Sequence, residues 1–178
     1  MRTKILGYFG IITLIVYWSF TIASILQNPW FSVMHNALSD LGSDSACCPW
    51  IYNYGLILAS PFLLVFSLYL IYSAQNKLET VGGAFISISS IFLALIGVFH
   101  SGTRPHTFVA PYFFLQFFVG MLVWGIGTWG AIKKLTIALF ILAFIGAFIP
   151  WPSTATLEIY EIALIGIFVS AFPSIKED

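Results

Sequence analysis

Charge is what this 178-residue chain has least of: seven Lys and Arg and seven Asp and Glu, together 8% of the residues. A soluble domain needs a polar skin, and 60% hydrophobic residues with a mean hydropathy of +0.97 leave too little to make one. The cations form no basic block and the net charge is zero, so nucleic acid is excluded as the main partner. Cysteine is nearly absent as well. Cys47 and Cys48 are adjacent, a spacing that an ordinary structural disulfide does not fit, and they read as free thiols.

Apolar runs are what the chain has in quantity. A stretch of about 20 apolar residues crosses the hydrocarbon core as a helix, because each backbone group must find its partner within the segment. Six stretches qualify, at residues 5–26, 50–73, 81–100, 110–132, 134–150 and 155–173. The expectation is an all-α polytopic membrane protein: a single domain over 1–178, a six-transmembrane-helix bundle, with a short interfacial helix or lid between the first two spans. The first run lacks a small-x-small cleavage site and reads as a permanent span. Pro49 and Pro111 suit first turns, Pro173 an end, and Pro61 a kink inside the second span.

Sidedness follows from the links. Arg2, Lys4, Lys77, Lys133, Lys134 and Lys176 fall on one side and Arg104 alone on the other, which places both termini in the cytoplasm of a cell with this chain in its membrane. All three histidines and four of the seven carboxylates then fall on the outer side. Within the membrane, small residues allow close helix approach. Gly83, Ser87, Ser90, Ala94 and Gly97 make such a stripe, and Gln116, Gly120, Gly127 and Ala131 make a second. Thr13, Tyr17, Thr21, Ser24 and Asn28 form a polar stripe, suited either to a wet crevice or to hydroxyls bonded to their own helix carbonyls.

The outer segments carry the chemistry. Met34, Leu38 and Leu41 would give an interfacial helix its apolar seam, with Gly42 ending it in a left-handed conformation. Ser39 and Asp40 are candidate catalytic groups there, and equally ordinary capping residues. His35, Asp40, His100, Arg104, His106, Glu158 and Glu161 are the candidate ligand-binding set. Arg104 suits an anionic group through its planar fork, or an ion pair with Glu158. Glu161, two turns inside the last span, needs a partner and is a third catalytic candidate. His100 and Asp40 are expected to meet, with Glu161 or Arg104 in reach.

The string His35-Asn36-Ala37-Leu38-Ser39-Asp40-Leu41-Gly42, followed by Trp50-Ile51-Tyr52-Asn53-Tyr54-Gly55-Leu56-Ile57-Leu58, resembles the entry to the second span in the domain-of-unknown-function 998 family of small six-span membrane proteins. Gly97-Val98-Phe99-His100 and the loop to His106 are similar to that family's next recurring feature. A weaker likeness reaches the DRAM, Frag and Sfk group, which implies lipid handling.

Residues and resemblance together favour an outward-facing polar pocket that binds a lipid headgroup or another small amphiphile, with membrane lipids as partners. The alternative is a zinc-dependent intramembrane lipid hydrolase with His35, His100 and His106 as ligands. It resembles the ceramidase-like hydrolases in its three His, Ser and Asp, and departs from them in lacking paired His on a late span. A transporter and a structural subunit, for which the small-residue stripes would suffice, rank below these. Self-association is compatible with all four, and the residues leave open whether any catalysis occurs.

Overall fold

The computed structural model describes residues 2–172, with side chains from residue 5 onward. The elements are α1 (Arg2–Gly7), α2 (Phe9–Gln27), a 3₁₀ turn (Leu38–Gly42), α3 (Pro49–Ser73), α4 (Lys77–Val98), α5 (His106–Gly127), α6 (Gly130–Gly146) and α7 (Thr154–Ala171). No strand occurs among the described residues. Ile5–Gln27, α3, α4, α5 and α7 are long and apolar enough to cross a membrane. With 17 residues, α6 is shorter than the other five. The ending expected at Pro173, and Lys176, lie outside the described residues, as do the side chains of Arg2 and Lys4.

Local chemistry sets the helix ends. Pro49 opens α3, where its missing N–H costs nothing. The Asn76 side chain caps α4 by accepting Leu78 N at 3.0 Å and Glu79 N at 3.1 Å, and its own amide donates to Gly127 O at 2.9 Å. Ser153 and Thr156 cap α7 reciprocally, each hydroxyl taking the other residue's N–H, at 3.1 and 3.2 Å. Inside α3, Pro61 lacks the N–H that would reach the Ile57 carbonyl, and Ser60 Oγ donates to that carbonyl at 2.9 Å instead.

Among the boundaries that differ from expectation, those at either end of α5 bear on the loops. The fourth span begins at His106, because Pro105 starts the turn and Phe108 and Val109 donate back to its carbonyl. Pro111 is therefore inside α5. The α5–α6 link is Thr128 and Trp129, followed by Gly130 at φ +63°, so Lys133 and Lys134 lie within α6 rather than between helices. Lys133 Nζ caps Ile126 O at 3.4 Å and sits 5.8 Å from the Trp129 ring centre.

Helices adjacent in the chain are adjacent in space, and α7 closes the ring against α2. The small-residue stripe of α4 faces α3: Ser87 and Ser67 hydroxyls are 2.8 Å apart, and Gly97 abuts the Asn53 carbonyl. On another face of α4, a Cβ on Gly82 would stand 2.5 Å from Trp124 N and 2.7 Å from Gly120 O, so α4 and α5 meet backbone to backbone.

The loops 28–48, 99–105 and 147–153 gather at one end of the bundle, here the plugged end. Away from it, rings knit α3, α5 and α7 together: Phe117 lies 5.7 Å from Phe168, Trp124 4.9 Å from Phe172, and Phe66 5.6 Å from Phe172. Toward the plugged end, residues of α5 and α7 line two spaces.

Candidate functional site

Asn28 and Asp40 anchor the 28–48 segment. The side chain of Asn28, itself buried, accepts Cys47 N at 2.8 Å and Trp30 Nε1 at 3.0 Å while donating to Ser24 O at 2.8 Å. The two ends of the segment are thus tied to one amide. Between them Leu38 and Leu41 drop into the bundle and are fully buried, whereas Met34 stays exposed. The expected apolar seam is therefore two leucines of a single 3₁₀ turn and not a helical face.

Gly42 does not have the left-handed conformation expected of it. Its requirement is closeness: a side chain there would run into the Asn53 carboxamide, whose Nδ2 donates to Gly42 O at 2.9 Å. Asp40 accepts Ala37 N at 2.9 Å and Ser101 Oγ at 3.2 Å, fixing the turn and joining it to the loop after α4. On the far side, Glu158 Oε2 accepts Leu38 N at 2.7 Å.

Beneath the plug is a small cavity of about 60 Å³, room for a few water-sized groups. Its polar wall is Tyr17, Ser39, Tyr52, Thr13 and Glu158, and the rest is aliphatic and phenylalanine. Between α5, α6 and α7 lies a larger groove of about 520 Å³. Phe114 and Phe118 stack along its α5 wall, Phe140 and Phe144 along its α6 wall, and Glu158 and Glu161 project from α7. Glu158 lines both spaces.

Glu161 is only 9% exposed and has no hydrogen bond or ion pair among the described residues. A carboxylate so placed costs several kcal/mol unless something compensates it. Its α7 neighbour Glu158 offers a like charge and no remedy. Among the groove-lining residues there is no Lys, Arg or His.

The other sequence candidates are distributed along the rim. His35 is exposed; Ser39 is buried against the small cavity. His100 turns Nδ1 to Ser101 O at 2.9 Å and Nε2 toward exposed Asp44 at 3.7 Å. It is Ser101, the next residue, that touches Asp40, so the expected His100–Asp40 contact is replaced by a neighbouring one. His106 Nδ1 faces Phe99 O at 2.8 Å, and Arg104 is exposed with no ion pair among the described residues. His100 and His106 are engaged with separate atoms, His35 is exposed, and no group of three or more His, Cys, Asp or Glu among the described residues is placed to hold a metal. The zinc alternative lacks its donor set.

Sequence reading gave no site role to Tyr52 and Asn53, and placed Tyr17 only in the polar stripe of the first span. Tyr17 and Tyr52 are buried side by side next to Glu158, and Asn53 pins the plug. An Asn in the first turn of an apolar span was the available signal for the last. Cys48, just before α3, carries a thiol held above the usual range, first by its hydrogen bond to Cys47 at 3.8 Å.

Comparison with known proteins adds a family and no activity. No curated protein and no solved structure matches the chain. The family model described as Protein of unknown function (DUF998) matches residues 11–173, nearly the whole span of helices and plug just described, and this membrane protein belongs to that family.

Proposed function

We propose that the protein binds a small amphiphile within the membrane, its apolar chain in the groove between α5, α6 and α7 and its polar end at Glu161 and Glu158. The observation that carries this reading is Glu161: a buried carboxylate without a partner, opening into a groove of about 520 Å³ whose other walls are almost wholly apolar. That volume is in the range of small-molecule sites, and an apolar pocket with a few convergent polar groups is how such sites are built. Asp40 and Ser101 hold the plug that borders Glu158 and have a positioning role. His35, His100, Arg104 and His106 then belong to the rim. In the same reading α6 makes the sixth crossing and both termini are cytoplasmic, since Lys77, Lys133 and Lys134 lie toward one end and Arg104 alone toward the other.

Native mass spectrometry of the protein released from membranes tests the reading, with Ala147→Phe as the variant. Ala147 lines the groove and is exposed, so a ring there fills the space without entering the core. The parent should carry a bound amphiphile that the variant loses while keeping its melting temperature. Equal occupancy in both would overturn the assignment to this groove.

A further inference from the structure

Resting on the amphiphile reading, we infer that the polar end of the occupant is a cation with N–H donors, a protonated amine on a single apolar chain. The two acids of the groove are not equivalent. Glu158 already accepts the Leu38 N–H through Oε2, whereas both oxygens of Glu161 are without a donor among the described residues. Glu161 is therefore the first contact of an incoming head, and Glu158 the second. A phosphate or carboxylate head would bring a further acid beside two carboxyl groups, in a groove lined by no Lys, Arg or His. A hydroxyl head would supply one donor and no countercharge. A primary ammonium supplies three donors and the missing charge.

The walls agree with this choice. Phe114, Phe118, Phe140 and Phe144 line the groove, and aromatic rings so placed can attract a cation near the carboxylates and accept hydrocarbon farther along. Arg104, the residue that pointed to an anionic ligand, is exposed on the rim and is not among the groove-lining residues.

The test uses the full chain in lipid nanodiscs with three radiolabelled probes of one chain length, dodecylamine, dodecanol and dodecyl phosphate, each corrected for uptake by protein-free discs. Dodecylamine should bind at least about tenfold more tightly than the other two. Glu161→Gln should lower amine affinity about tenfold and dodecanol affinity by much less, since the amide keeps an acceptor for a hydroxyl but loses the charge. Equal affinities, or a preference for the phosphate, would overturn the cation assignment and leave the amphiphile reading standing. Saturable binding of none of the three overturns that reading itself. If Glu161→Gln does not fold, Ala147→Phe serves in its place: amine binding that survives a filled groove puts the cation elsewhere and sinks the inference.

Discussion

At the scale of single residues, polar atoms in this chain are few and nearly all are committed. Asp40 satisfies a backbone N–H on one side and a serine hydroxyl on the other. Asp40→Ala should lower stability by about 1–3 kcal/mol, because it leaves a partly buried donor unmet. Ser101→Ala should cost less, and the double variant less than the sum, since both changes remove one shared contact. Thermal melts in mild detergent of the four proteins decide it, and strict additivity would separate the two residues. At the rim, the Cys48 thiol is held up chiefly by Cys47. Cys47→Ala removes that neighbour, so alkylation of Cys48 should reach half its maximal rate at a lower pH than in the parent, a shift readable with iodoacetamide.

At the scale of helices, packing depends on where a side chain is missing. Gly82→Ala would set a methyl group against the α5 backbone and should destabilise by about 1–3 kcal/mol. Gly166→Ala meets only Leu14 Cδ1 at 3.4 Å and should stay within about 0.5 kcal/mol of the parent. Comparing their melting temperatures separates close helix approach from loss of glycine alone. The packed faces were legible in the sequence as small-residue steps of three and four, and the α4 stripe did settle against α3. Helix ends were less legible. Pro111 suits a first turn, yet a turn begun by Pro105 precedes it. Lys133 and Lys134 resemble a link by charge, although Lys133 instead reaches back over the preceding turn from within α6.

At the scale of the whole molecule, the class of the protein was readable from composition and the plug from its leucines, but the site was not. Leu38 and Glu158 are 120 residues apart, and no local pattern records that they meet. The same holds for the groove, whose walls come from α5, α6 and α7. Topology is open to a direct check: in a background without Cys47 and Cys48, a cysteine at Gly102 and one at Thr128 should react with impermeant maleimide from opposite faces of the membrane. Reaction from the same face would overturn the crossing pattern. The brevity of α6 has a consequence of its own. Its 17 residues span about 25 Å, against about 33 Å for the 22 of α4 or α5 and about 30 Å of hydrocarbon. Lys133 and Lys134 hold one end toward water, and at the other Trp151 Nε1 clamps Gly146 O at 2.7 Å. On the six-crossing reading the bilayer must thin beside α6, at a fraction of a kcal/mol per ångström. The groove borders that same helix, so acyl chain length in the surrounding lipid becomes a control on entry, and thicker membranes should strain the mouth before they strain the bundle.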